Sequence, residues 1–191
     1  MATSETSICN SALAKLGAER ILSLSDNTKA GRLCNEQYEK MRDEVLRSHP
    51  WNFAIARVEL AALVAVPLFE YDHQFQIPAD SLRILDIDIN IELNAVDPWA
   101  VEGDKLLANE DPIKIKYIKR VTNTALFDAN FVEALAFRLA ADLAYAIVQS
   151  LSVQRQMFAA YKEFLRPARS FDAQEGKLDQ VRADEWFNER L

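Results

Sequence analysis

The chain has 191 residues, half of them hydrophobic, which is enough apolar material for one core with a sizeable insertion and too much for a disordered polymer. Its formal charge is −7 and no run of five or six Lys/Arg occurs, which argues against a surface that grips nucleic-acid phosphate. No stretch reaches the roughly 18 apolar residues that cross a bilayer, and MATSETSICN lacks the basic-then-apolar pattern of a secretion signal, so a cytoplasmic origin is expected.

Ser4 is placed to cap a first helix over 5–16, and Gly17 to end it in the left-handed region. Ile8, Ala12 and Leu16 recur every fourth residue as its buried seam. After a connection holding Ile21 and Leu24, Ser25 and Asp26 predict the cap of a longer helix ending at Ser48. Ala30, Leu33, Cys34, Tyr38, Met41 and Val45 point inward at a period of about 3.6. Cys9 and Cys34 read as small buried hydrophobes in a reducing compartment.

His49-Pro50 stops this helix, because proline cannot continue it and biases its predecessor toward extended geometry. Trp51, Phe53 and Ile55 are then expected on one face of a strand, with Asn52 and Ala54 on the other. Period two continues to Val121. Tyr71, His73, Phe75 and Ile77 alternate with Asp72, Gln74 and Gln76. A strand over 85–94 sets Leu85, Ile87, Ile89, Ile91 and Leu93 opposite Asp86, Asp88, Asn90, Glu92 and Asn94. Glu102-Gly103-Asp104 and Glu110-Asp111-Pro112 read as turns, and Trp99 as a sheet-end plug or a contact of the insertion. In the strand Ile113–Lys119, Lys114 and Lys116 lie opposite the apolar positions. The expectation is an antiparallel meander with one dry and one wet face.

Asp128 is a cap for a returning helix, with Phe127 and Val132 as its hydrophobic staple. Residues 131–149 are apolar almost all round, which makes this helix central. Its Arg138 and Asp142 are spaced to pair. Ser152 is expected to open a last helix through Met157, Tyr161, Leu165 and Ala168, bent at Pro167. The tail, 172–191, holds six acids, three bases and the pair Trp186-Phe187. The fold class is therefore α+β. Residues 1–50 and 127–176 form a four-helix-type bundle, 51–126 an inserted antiparallel sheet, and 177–191 an arm.

Chemistry is sparse. His49 and His73 have no nucleophile motif nearby, four glycines leave no phosphate-cradling loop, and two Cys and two His are scattered singly. No catalytic, metal or cofactor residue is assigned. Asp86, Asp88 and Glu92 are one acidic strand face. It reads as a solvated face paired with Lys114 and Lys116, as a subunit-interface or channel face, or as carboxylates for acid–base chemistry. Trp186 and Phe187 read either as folding back on the bundle or as anchors of an arm that grips a partner.

Three segments carry a resemblance: ICNSALAKLG at 8–17, RDEVLRSHPWNFA at 42–54, and ARSFDAQEG at 168–176. Together they resemble the head-to-tail adaptor (tail tubular protein A-like) family of tailed bacteriophages. The resemblance implies a virion structural protein at the head–tail interface, not an enzyme, and no cofactor. It implies a dodecameric homo-oligomer beneath the portal protein that extends the DNA channel for genome retention and ejection. Genomic DNA would pass without specific binding, a tail nozzle or tail tube protein would dock below, and no membrane would be involved. The bundle would form the ring wall, joined to the sheet at His49, Pro50, Trp51 and Phe53. The arm with Trp186 and Phe187 would reach the portal. Two other classes stay open: a small cytoplasmic helical interaction module (a chaperone or regulator), and a hydrolase using the Asp86/Asp88/Glu92 face.

Overall fold

Helices come from both ends of the chain and pack as one body. The computed structural model describes residues 3–88 and 99–174, with side chains as far as 165. In it α1 (Glu5–Lys15) and α2 (Lys29–Ser48) precede a β region, and α3 (Ala129–Val148) and α4 (Leu151–Gln174) follow it. At the start of α1, Ser7 N–H donates to Ser4 Oγ (3.1 Å) and Ser4 N–H donates to Ser7 Oγ (2.9 Å). That reciprocal capping box satisfies two backbone donors. Gly17 ends the turn at φ +68°, as expected.

The second helix starts later than Ser25 and Asp26 suggest. Asp26 Oδ2 already accepts from Leu22 N–H (2.7 Å) and Ser23 N–H (3.2 Å), so its carboxylate serves the upstream loop. Thr28 caps instead, its Oγ1 accepting from Gly31 N–H at 3.0 Å. Gly31 is held tight: a Cβ there would lie 2.5 Å from the Asp26 carbonyl oxygen. Downstream the inward row holds, with Cys34, Tyr38, Met41 and Val45 buried.

Central placement of α3 is found: it packs against α1, α2 and α4. Its buried row is Phe131, Leu135, Leu139 and Leu143, with Ala136, Ala140 and Ala144 beside it. Asp128 caps it through Asn130 N–H at 2.7 Å. The all-round apolar character outlasts the burial, since Tyr145 and Val148 are exposed. Arg138 takes a different main partner from the expected Asp142. Its Nε and Nη2 reach Glu44 Oε1 and Oε2 at 2.9 and 2.8 Å, whereas Asp142 lies 3.8 Å away. A forked guanidinium favours the two-point contact with α2. Ser150, not Ser152, precedes α4 and accepts from Val153 N–H at 3.3 Å. The helix runs on through Pro167.

The β region departs from a single meander. Trp51, Phe53 and Ile55 do not share a strand face, because Asn52–Ala54 form a 3-10 turn and the first strand begins at Ile55. Six strands are described: β1 (Ile55–Leu60), β2 (His73–Gln76), β3 (Ser81–Asp88), β4 (Trp99–Glu102), β5 (Lys105–Ala108) and β6 (Ile113–Lys119). They form two antiparallel three-stranded sheets, ordered β1-β6-β3 and β2-β5-β4. Phe75, Leu106 and Ala108 from the second sheet meet Ile87, Ile113, Ile115 and Tyr117 from the first in one buried cluster, with Trp99 packed against it. Facing sheets bury more apolar surface than an open meander of the same strands, which is why this sequence closes up. The first and last strands pair, Ile55 opposite Ile118, so the chain enters and leaves the insertion side by side.

The strand expected over 85–94 is described only to Asp88, and Glu92 lies outside the described residues. Leu85 and Ile87 do not share a face. The register shifts between Ile84 and Asp86, a bulge that turns Leu85 toward the helical core while Ile87 stays between the sheets. The fold is α+β: among the described residues, four helices with two antiparallel three-stranded sheets. Among the described residues no helix is long and apolar enough to cross a membrane.

Candidate functional site

The junction of helix and sheet is built by alternate residues in the last turns of α2. Val45 O accepts from Trp51 Nε1–H at 3.1 Å, holding the chain where it enters the insertion. Asp43 Oδ2 accepts from Arg120 Nε–H at 2.7 Å, holding it where it leaves. Arg47 Nη1–H donates to the carbonyl of Leu82 and holds the start of β3. Asp43 and Arg47 lie four apart and share one face of α2, where they meet the end of β6 and the start of β3, while Val45 acts through its backbone carbonyl. Trp51 is fully buried, edge-on to Phe131 (5.4 Å) and to His49 (5.0 Å). Phe53 bridges to Phe127 and Phe131 at 5.8 and 5.2 Å. The expected junction His49, Pro50, Trp51 and Phe53 is therefore an aromatic seam of the core rather than an open site. The sequence signal caught its aromatics and missed the Asp43, Arg47 and Arg120 contacts, which depend on tertiary register.

On the outer face of the β1-β6-β3 sheet, two rows of charge cross the strands. Arg57, Lys116 and Asp86 form one row, and Glu59, Lys114 and Asp88 the next. The expected facing of Lys114 and Lys116 with Asp86 and Asp88 is thus met in register. Among the described residues no ion pair closes within these rows. Asp86 Oδ1 instead accepts from Ile87 N–H at 2.9 Å. The rows line an open depression of about 400 Å³. Three cations and three anions in water form a balanced, solvated face, where individual pairs are worth little.

Several buried groups carry shifted acidities. Burial pushes the Tyr38 phenol up, with Glu5 adding to the shift and Arg42 opposing it, and its hydroxyl has no hydrogen-bond partner among the described residues. Cys9 and Cys34 are buried free thiols. Their shared hydrogen bond raises Cys9 and lowers Cys34, while burial opposes ionisation of both. Both lie fully inside the helical core. Among the described residues no cluster of three or more His, Cys, Asp or Glu is arranged to hold a metal ion. His73 sits in β2 with its ring 6.4 Å from Phe75. Trp186 and Phe187, and the whole of 177–191, lie outside the described residues.

One surface escaped sequence reasoning. Between β1 and β2, Val64, Val66, Leu68 and Phe69 are 104, 65, 97 and 74 % exposed. The signal was legible: ALVAVPLF is an apolar run with neither helical nor strand period.

Comparison with protein-family models and with curated proteins gives no match for this chain.

Proposed function

We propose that this protein is a structural adaptor of a tailed-phage virion, a ring of identical chains joining portal to tail and continuing the DNA channel. The observation that carries this reading is apolar surface facing outward on two different elements. One is the β1–β2 loop. The other is the α3–α4 hairpin, where Tyr145, Val148, Leu151 and Phe158 are exposed. Apolar patches of that kind on a folded body mark surfaces that meet other proteins. Two of them suit a chain that contacts more than one neighbour. The order of elements, terminal helix pairs packed together with a β insertion between them, agrees with what the resemblance implies.

Charge is consistent with a conduit. A chain of net charge −7 gives a strongly anionic ring, and phosphate binding draws its strength from basic groups that release counterions. DNA would then slide through without being held. In this reading the opposed charges of Asp86, Asp88, Lys114 and Lys116 face solvent, a neighbour or the channel, and take no part in turnover. Trp186 and Phe187 anchor the arm on the portal.

Native mass tests this. Purified protein, alone and with its cognate portal ring, is expected to form a particle of about twelve copies in at least the second case. A chain that stays monomeric in both, or a stable dimer indifferent to portal, would replace the adaptor with a small interaction module.

A further inference from the structure

The exposed β1–β2 loop is an ordered one. Ala62 N–H donates to Asp111 Oδ1 (2.9 Å), Leu63 N–H to Gln74 O (2.8 Å), and Gln74 Nε2–H to Ala65 O (2.8 Å). Beyond the apolar run, Asp72 N–H donates to Asn109 Oδ1 at 2.9 Å. Glu70 adopts φ +71°, with Tyr71 N–H donating to Phe69 O at 2.9 Å. This tight γ-turn is rare for a residue bearing a Cβ. The backbone is tied down on both flanks while its largest side chains point into water. That is a preformed knob, with the ordering cost of binding already met.

The same chain offers a receptor. Between β3 and the β4–β5 hairpin, against the end of α2, lies an open groove of about 970 Å³. Ile77, Pro78, Leu82, Trp99 and Val101 give it an apolar lining. Arg47 and Arg83 stand on it, and among the described residues neither has a carboxylate at salt-bridge distance. The knob is followed at once by Glu70 and Asp72, both exposed. Asp104 also lines the groove, but its carboxylate is already engaged by Gln76 and Lys105, which leaves an apolar groove with those two arginines to match an apolar knob followed by acids. The knob's own exposure means that it does not occupy the groove of its own chain.

We propose that residues 64–69 of one copy seat in the groove of the next copy, with Glu70 and Asp72 meeting Arg83 and Arg47. The contact uses two different surfaces of one chain, so it is head-to-tail, and it closes into a ring when the rotation between copies permits. This rests on the ring reading above and names the joint between its subunits. Leu68 and Phe69 are the anchors, and the charges fix orientation.

The test uses full-length chains in the presence of the cognate portal. A Phe69→Cys chain is mixed with a Val101→Cys chain and oxidised. A disulfide joining the two different chains is expected, and neither chain alone should give it. Separately, Arg83→Glu should raise the concentration for half-assembly by about tenfold, and adding Glu70→Arg should bring it back to within about threefold. If the native particle is a ring but no mixed disulfide forms and Leu68→Asp/Phe69→Asp leaves its mass unchanged, the joint is wrong and the ring stands. If that double variant keeps the ring and only loses portal or tail protein, the knob serves that partner and the inference is overturned. A wild-type monomer with and without portal would overturn the ring reading itself.

Discussion

The indole N–H of Trp51 donates to the carbonyl of Val45 across 3.1 Å, tying the first residue after Pro50 back to the helix that Pro50 ended. The last carbonyls of a helix have no intrahelical donor. Trp51 supplies one from inside the core while its ring fills space against Phe131. Ser48 Oγ–H donates to the same carbonyl at 2.8 Å, so the helix end that Pro50 imposes is satisfied from two side chains, one of which starts the insertion.

Trp51→Phe should therefore cost about 1–2 kcal/mol, the hydrogen bond plus a partial cavity, and Trp51→Ala about 3–5 kcal/mol. Urea unfolding of the purified protein measures both. Equal small losses for the two would mean that the seam contributes little.

Asp43 should matter more than an ordinary helix carboxylate. It accepts from Arg42 Nε–H at 2.9 Å and from Arg120 Nε–H at 2.7 Å, and Arg42 is only 3 % exposed. Asp43→Ala leaves that guanidinium buried without its anion, at a cost of about 2–3 kcal/mol. Asp43→Asn keeps an acceptor and should lose less. Chemical denaturation of the two variants side by side checks the order.

Much of this architecture is legible in the sequence, and what escaped it has physical causes. Ser4, Gly17 and Asp128 act through bonds to residues two or three positions away or through their own backbone angle, so local pattern finds them. Thr28 displaced Asp26 because the Asp26 carboxylate is spent on Leu22 and Ser23, a competition that a cap preference cannot see. Period two located the strands but not their division into two sheets, since alternation says nothing about which strand faces which. The Leu85 bulge is invisible for the same reason: one added residue moves a side chain to the other core without altering the printed alternation. At the candidate surfaces, alternation alone is enough to match Lys114 and Lys116 to Asp86 and Asp88. The β1–β2 knob was missed because its hydrophobicity follows no secondary-structure period.

Tyr38 is a core residue whose hydroxyl contributes nothing it can be credited with. Removing a buried polar group that has no partner among the described residues avoids its desolvation cost. Tyr38→Phe should leave stability within about 0.5 kcal/mol of wild type or raise it. A thermal melt showing a loss larger than about 1.5 kcal/mol would reveal a hydrogen bond to this hydroxyl.

The charged sheet face should tolerate neutralisation. Asp86→Asn and Asp88→Asn, singly or together, are expected to shift stability by no more than about 0.5 kcal/mol each, as exposed pairs do. Denaturant midpoints decide this. A large loss would make the rows structural. Loss of a hydrolytic activity with the fold intact would move the protein to a different class.

Imaging of the purified protein mixed with its cognate portal tests the central claim most directly. The account predicts a ring of about twelve copies coaxial with the portal, its central channel continuing the portal's own. Portal rings left bare, beside a separate small particle of this chain, would contradict it.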